Sequence, residues 1–169
     1  MVGGKFHLIE FFARKQRRIV RSTFSAELNG VAGSHEIARL ICLSFASVRL
    51  PNASAHDLQL LETSGRLPRA IRILTDFYSI LTALAKESVT LPSEATLILL
   101  LLSLKEALRS FSLRKLSWCD TKDMLADGLG TGAVSRQAIV IATTRGSWDP
   151  KYAAHTHMET VRREPRSLI

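Results

Sequence analysis

Alternating strand and helix patterns along the chain predict an α/β fold. Two short apolar stretches, Ile71–Thr75 and Leu113–Cys119, have the composition of buried strands, and a longer stretch with helical periodicity precedes each of them. Because parallel neighbours in a sheet need a crossover of a dozen or more residues, we expect these two strands to pair in parallel. The 169 residues suffice for one domain, predicted over 1–145, followed by a disordered basic tail over 146–169.

The N-terminal part is predicted to form two strands and then a long helix. Phe6–Ala13 and Arg18–Val20 carry apolar and β-branched residues on either side of a basic turn. Ser22 or Thr23 is expected to cap the helix, because a hydroxyl accepts hydrogen bonds from the first free backbone N–H groups. Apolar residues then recur at helical spacing and predict one buried face, made of Ala26, Val31, Ile37, Ala38, Ile41 and Phe45.

The remaining elements alternate with turns. Residues 49–70 are predicted as a loop with a short helix around Asp57–Glu62. Another short helix is expected over Phe77–Lys86, with an inward face of Ile80, Leu81 and Leu84. Pro92 opens the longest predicted helix, which ends near Ser110, since proline is well tolerated in the first turn. Two C-terminal helices follow: one that is capped by Thr121 and includes Met124, Leu125 and Leu129, and one over 135–143.

Positive charge is concentrated near the start of a chain whose formal net charge is +8. Within residues 1–22, the single acid Glu10 stands against six basic residues: Lys5, Arg14, Lys15, Arg17, Arg18 and Arg21. Such a cluster favours a polyanionic partner such as nucleic acid, because binding releases condensed counterions. A solvated basic strand at the surface explains the charge equally well.

Cysteine usage and hydropathy argue against several classes of protein. Cys42 and Cys119 are far apart and form no CxxC pair, which favours a reducing intracellular compartment over a disulfide framework or a zinc site. The unbroken apolar run Leu97–Leu102 is too short to span a bilayer, so no membrane partner is expected. The sequence also contains no Gly-rich phosphate loop, GxSxG elbow or HExxH helix.

Three segments, taken in their order, carry a resemblance to a known family. Lys15–Leu28 (KQRRIVRSTFSAEL) joins a basic turn and a strand to Ser-Thr-x-x-Ala-Glu. Ile73–Ile80 (ILTDFYSI) is a strand that ends in Thr-Asp before a helix. Leu113–Gly130 (LRKLSWCDTKDMLADGLG) is a strand with a Trp, followed by Leu-Ala-Asp-Gly-Leu. Over residues 5 to about 136 the chain thus resembles the C-terminal ribonuclease H-like domain of copia-type LTR retrotransposon Pol polyproteins.

The resemblance implies a ribonuclease H-like sheet with flanking helices and metal-dependent hydrolysis of RNA in RNA–DNA hybrids. It implies four carboxylates that hold two Mg²⁺ ions, since magnesium prefers hard oxygen ligands. Glu27 matches the family's helix glutamate, Asp76 its strand-end aspartate, and Asp127 the aspartate of its Ala-Asp pair. If the fold is that of the family, the three carboxyl groups are expected to lie within about 4–8 Å of one another, and repulsion between them is expected to raise the pKa of at least one. The implied partners are an RNA–DNA hybrid and the rest of a Pol polyprotein, in a cytoplasmic particle or the nucleus.

The sequence departs from the family pattern in two places. The family's first aspartate lies on a strand that comes two strands before the basic turn, and nothing here precedes Met1. We therefore expect an incomplete mixed sheet without its first two strands, weak metal binding at best, and little or no activity. In addition, Leu129–Gly132 (LGTG) stands where the family has Thr-Lys after the Ala-Asp-Gly-Leu stretch.

Each candidate carboxylate also has a purely structural explanation. Glu27 could favour the N-terminus of its helix through the helix dipole. Asp76 could cap the helix that follows it, and Asp127 could be an exposed helix residue like its acidic neighbours. Trp118 is expected in the core rather than as a stacking platform for bases. The rival function is a non-catalytic module that binds nucleic acid or a protein through the basic strand and the long apolar helix.

Overall fold

Six helices and five short strands make up the described part of the chain. The structure, a computed structural model, describes residues 4–5, 7–9, 22–86, 95–130, 136–148 and 157–158. The helices are α1 (Thr23–Arg49), α2 (Ala55–Thr63), α3 (Tyr78–Ala85), α4 (Ala95–Arg109), α5 (Asp127–Gly130) and α6 (Gln137–Arg145). The strands are β1 (Gly4–Lys5), β2 (Arg72–Thr75), β3 (Lys115–Trp118), β4 (Ser147–Trp148) and β5 (His157–Met158).

The parallel pairing of β2 with β3 confirms the central fold prediction. Their register runs from Arg72 opposite Lys115 to Thr75 opposite Trp118. Two further backbone hydrogen bonds extend the ladder, from Arg114 N to Ile71 O and from Cys119 N to Thr75 O, both at 2.9 Å. Helices α3 and α4 supply the crossover between the strands. The fold is therefore α/β in the coarse sense of helices packed with a small parallel sheet.

The other strands differ from the prediction. β5 pairs antiparallel with β3, while β4 pairs antiparallel with β1 in a separate two-stranded sheet, so the segment predicted as a disordered tail contributes two paired strands. Backbone pairing needs no side-chain periodicity, which is why the sequence did not indicate them. Of the predicted strand Phe6–Ala13, only His7, Leu8 and Ile9 are described, and they form no strand. The predicted strand Arg18–Val20 lies outside the described residues.

Helix α1 begins where its cap was predicted, and its predicted inward face is correct in part. The Ser22 hydroxyl accepts a hydrogen bond from Ser25 N at 3.1 Å. Val31 is buried and Ala38 is half-buried against the core, as predicted, whereas Phe45 is 38% exposed. The other buried residues are Ser25, Leu28, His35 and Ala46, with Cys42 half-buried. Small and polar residues let the neighbouring elements approach α1 closely, so a prediction that followed the apolar side chains missed this part of the face.

Helix α1 is also the longest described helix, whereas the longest predicted helix was the one after Pro92. It has 27 residues against 15 for α4. By length and composition alone, α1 is long and apolar enough to cross a membrane, although a core helix of a soluble protein passes the same test. In this fold α1 contacts α2, α3, α4 and β2.

Leucines from α4 fill the centre of the core. Leu97, Leu101, Leu104 and Leu108 are buried at helical spacing, while Leu99 and Leu102 face outward. They meet β2, β3 and the predicted buried face of α3, formed by Ile80, Leu81 and Leu84. Full burial of one such side chain stabilises the fold by about 1.5–3 kcal/mol. This layer is what holds the parallel strand pair in place.

Helix α2, predicted around Asp57–Glu62, is attached to α1 by an ion pair. The side chain of Glu62 is buried and accepts hydrogen bonds from both Nε and Nη2 of Arg39, the second at 3.1 Å. Arg39 also bonds Glu36 at 3.0 Å. Next to this network, His35 is only 5% exposed, and its Nε2 has no hydrogen-bond partner among the described residues. Burial, with a smaller contribution from Arg39, lowers the pKa of His35 against the opposing influence of Glu36 and Glu62.

We predict that His35 makes the free energy of unfolding decrease in mild acid. Its pKa in the fold lies below the ordinary value of 6.5, so the unfolded chain binds the proton more readily and acidification through that value favours unfolding. In urea unfolding at pH 7.5 and pH 5.5, His35→Leu should reduce the difference between the two free energies. The matched control is His56→Gln, since His56 is exposed. An unchanged pH dependence in His35→Leu would contradict this role of His35.

Candidate carboxylate site

Asp76 is held at the point where β2 and β3 end together. Its backbone oxygen accepts a hydrogen bond from Trp118 Nε1 at 2.8 Å, and its Oδ2 accepts one from Thr121 Oγ1 at 3.2 Å. Trp118 is half-buried against the core, as predicted. These contacts join the residue after β2 to the last residue of β3 and to the turn beyond it. Asp76 therefore lies at the carboxyl edge of the parallel pair, where ligands of α/β sheets commonly bind.

Asp76 does not have the capping role that was its structural alternative. Helix α3 has Phe77 as its N-cap residue, with no side-chain hydrogen bond to the cap in the described structure. Phe77 N instead donates a hydrogen bond to Thr75 Oγ1 at 3.2 Å. The carboxylate of Asp76 is thus available for interactions at the strand edge besides its bond with Thr121.

A 3-10 turn, rather than the predicted helix, leads to Asp127. The turn spans Thr121–Asp123, and its cap is Asp120, whose Oδ1 accepts from Lys122 N at 2.9 Å. The predicted helix that is capped by Thr121 and includes Met124, Leu125 and Leu129 is therefore confirmed only at Leu129, which lies in α5. Its predicted cap is wrong, because the neighbouring aspartate is the better placed acceptor. Asp127 begins the short helix α5, and backbone bonds from Asp123 N to Asp120 O and from Asp127 N to Met124 O fold the segment back at the strand end.

Glu27 approaches the site from α1. The first turn of α1 contains no acidic residue, so Glu27 lies beyond the region where the helix dipole acts strongly. Its side chain is partly buried. Burial raises the pKa of Glu27, and the negative charges of Asp76 and Asp127 raise it further. This electrostatic coupling, rather than the dipole, distinguishes Glu27 from an ordinary helix residue.

Asp127 shows the same coupling. Burial raises its pKa, and the charge of Asp76 adds to the shift. The prediction that at least one of the three carboxylates has a raised pKa is therefore confirmed, for two of them. Like charges shift each other's pKa only when they are near, so Glu27, Asp76 and Asp127 lie within electrostatic range of one another.

Cys119 is a member of this site that sequence reasoning missed. It is fully buried directly after β3, and its pKa is raised to about 11 by burial and by the charges of Asp123, Asp120, Asp76 and Asp127. A thiol with so high a pKa is neutral at pH 7, so it adds no further negative charge. Its place at the end of a predicted strand was the one indication in the sequence.

The three carboxylates are suitable ligands for magnesium in their chemistry, but less so in the arrangement that the structure describes. Carboxylate oxygens are the ligands that Mg²⁺ prefers, and mutual repulsion of the carboxylates favours a cation between them. Within the described ranges, however, no group of three or more His, Cys, Asp or Glu side chains is arranged so that it could hold a metal ion. Separations of about 4–8 Å between the carboxyl groups, as a shared pair of ions requires, stay a prediction for the metal-bound state. The basic residues Arg14, Lys15, Arg17, Arg18 and Arg21 lie outside the described residues.

We predict that removal of the Asp76 charge lowers the pKa of both Glu27 and Asp127. Asp76→Asn keeps an oxygen for Thr121 but removes the negative charge that disfavours ionisation of the other two carboxyls. Carboxyl ¹³C chemical shifts followed through an acid titration would measure both values. Glu106→Gln, at an exposed position on α4, is the matched control. If neither pKa moves in Asp76→Asn, the three groups do not form one site.

No protein-family model matches the sequence, and neither a curated protein nor a solved structure is significantly similar to it.

Proposed function

We propose that this chain is a ribonuclease H-like segment of a copia-type retrotransposon Pol polyprotein. Its ancestral chemistry is the metal-dependent hydrolysis of RNA in an RNA–DNA hybrid. One observation carries the proposal: Glu27, Asp76 and Asp127 come from three separate sequence motifs, yet the pKa of Glu27 and of Asp127 is raised by burial and then by the negative charge of Asp76. No rule of local sequence brings such distant residues together, whereas the resemblance names all three as metal ligands.

The fold supports this proposal through the order and direction of its elements. The motif ending in Thr75-Asp76 lies on β2, the motif with Trp118 lies on β3, and the two strands are parallel neighbours. The Ser22–Glu27 motif begins the helix that contacts β2. The described part of each motif thus lies on the type of element that the resemblance implies for it.

Magnesium would be held by Glu27, Asp76 and Asp127. When bound, it would activate a water and stabilise the leaving oxygen of the cleaved phosphodiester. The chain's own residues prepare the site for it. Thr121 orients the Asp76 carboxylate, Trp118 joins the end of β2 to β3, and Cys119 is a buried neutral group directly after β3.

Hydrolysis is expected to need one more carboxylate than these residues provide. The family's site has four, and the family's first strand would add both the fourth carboxylate and a hydrogen-bonding neighbour for the sheet. Three carboxylates hold magnesium weakly, so the segment alone should show little or no cleavage.

We predict that a peptide carrying the first two strands of a copia-type ribonuclease H domain restores hydrolysis. Mixed with the chain, it should allow Mg²⁺-dependent cleavage of the RNA strand in a labelled RNA–DNA hybrid, because it supplies the missing aspartate and backbone partners. Cleavage would be followed by gel electrophoresis of the labelled RNA.

Three controls test whether the restored cleavage depends on the carboxylates of the site. The same peptide with Asn in place of its aspartate should not restore cleavage, and neither should the chain carrying Asp76→Asn. The chain with Glu106→Gln should cleave normally. A peptide that binds the chain without restoring cleavage would contradict the proposed chemistry.

The second candidate function is a non-catalytic nucleic-acid-binding module, and the basic N-terminal cluster favours it. We predict that replacing Arg14, Lys15, Arg17 and Arg18 with Ala weakens binding to hybrid or duplex nucleic acid. The log–log salt slope should fall by roughly 0.9 for each phosphate contact that is lost. Fluorescence anisotropy at several salt concentrations measures both effects, with Arg109→Ala and Arg145→Ala together as control. Unchanged affinity at low salt would show that this cluster does not contact nucleic acid.

A further inference from the structure

A cleft with an apolar wall and a basic edge lies between the C-terminal end of α1 and helix α2. Its volume is about 760 Å³, which is within the range of small-molecule binding sites, roughly 300–1,000 Å³. Leu50, Pro51, Leu60 and Leu61 supply the apolar surface. Leu60 is 52% exposed, which is a large exposed fraction for a leucine in a concave site.

Two arginines and one carboxylate are the charged groups that line the cleft. Arg49 and Arg66 line the cleft, and neither forms an ion pair with any residue that the structure describes. The acid in the described lining is Asp57, whose Oδ2 accepts hydrogen bonds from Ser54 N at 2.9 Å and from Ser54 Oγ at 2.7 Å. These bonds lower the pKa of Asp57, so it keeps its negative charge, and the two guanidinium groups leave the lining with a net positive charge.

Part of this basic edge is held in position before any ligand arrives. The guanidinium carbons of Arg49 and Arg69 lie 5.7 Å and 5.5 Å from the centroid of the Phe45 ring. Stacking on an aromatic ring restricts a long side chain, so less conformational entropy is lost when it binds a ligand. Phe45 is exposed, which contradicts its predicted place in the core, and its ring is therefore accessible to both guanidinium groups.

The C-terminus of α1 opposes an anion here, but weakly. The helix dipole places about half a negative charge at that end. Two of the nearby carbonyls already accept backbone bonds, Ala46 O from Leu50 N at 2.9 Å and Leu50 O from Ala53 N at 3.0 Å. The two positive charges on Arg49 and Arg66 exceed the negative charge of Asp57 together with the partial charge of the helix end.

We propose that this cleft binds a phosphate monoester with a flat or apolar body of about nucleotide size. The doubly negative phosphate would lie between Arg49 and Arg66, since guanidinium groups pair with phosphate oxygens in a bidentate manner. The flat or apolar part of the ligand would pack against Leu50, Leu60 and Leu61 on the apolar side of the cleft. The cleft lies about 33 Å along α1 from Glu27 at 1.5 Å per residue, so this site is independent of the carboxylate site.

Calorimetric titration of the full chain with adenosine 5′-monophosphate tests the proposal, with adenosine and inorganic phosphate as partial ligands. The monophosphate should bind at least ten-fold more tightly than either part, because only it fills both the basic edge and the apolar wall. The double variant Arg49→Ala with Arg66→Ala should bind it at least ten-fold more weakly. Arg109→Ala and Arg145→Ala, at exposed positions on other helices, should bind it normally.

A second variant separates loss of the site from loss of the fold. Leu60→Glu places a negative charge on an exposed part of the wall, where folding tolerates it, and should weaken the monophosphate more than adenosine. Circular dichroism would confirm that both variants keep their helices. The proposal is overturned if adenosine binds as tightly as its monophosphate, if the arginine variant binds as well as the parent chain, or if no binding occurs at millimolar concentration.

Discussion

The parallel ladder between β2 and β3 is the constraint on which the carboxylate site depends. Side by side and in the same direction, the two strands end at one edge, and that edge receives Asp76 from one strand and Cys119 from the other. The bond from Trp118 Nε1 to Asp76 O then fixes the exit of β2 against the end of β3. An antiparallel pairing of the same strands would place these residues at opposite edges of the sheet, and no choice of side chains would bring them together.

The carboxyl groups at this edge lower the stability of the fold. Their presence there therefore has a reason other than folding. A carboxyl group with a raised pKa is less stable as an anion in the fold than in water, so Glu27 and Asp127 both favour the unfolded chain near pH 7. The buried leucines of α4 act in the opposite direction, since burial of each side chain stabilises the fold. Acids retained at a structural cost are typical of sites that bind something positive.

The sequence predicts the features that depend on local pattern. It does not predict those that depend on contacts between separate helices and strands. The two central strands, the Ser22 cap, the inward face of α3 and the raised pKa of a carboxylate were all predictable from spacing, motif and charge. The inward face of α1 was not, because His35, Cys42 and Ala46 become buried only through their contacts with other elements. Nor was β5 predictable, since a two-residue strand exists through its partner β3 rather than through its own composition.

Helix α1 links the two candidate sites and gives them opposite charge. Glu27 lies near its N-terminus with Asp76 and Asp127, while Arg49 is in its last turn with Arg66 and Arg69 close by. The helix dipole favours anions at the first end and cations at the second, by about 0.3–1 kcal/mol for each well-placed charge. This contribution applies to Arg49, in the last turn of α1, whereas Glu27 lies beyond the first turn and gains little from the dipole. The ends are about 33 Å apart, which is several times the Debye length of about 8 Å at physiological salt. The charges at one end are therefore screened from a ligand at the other end.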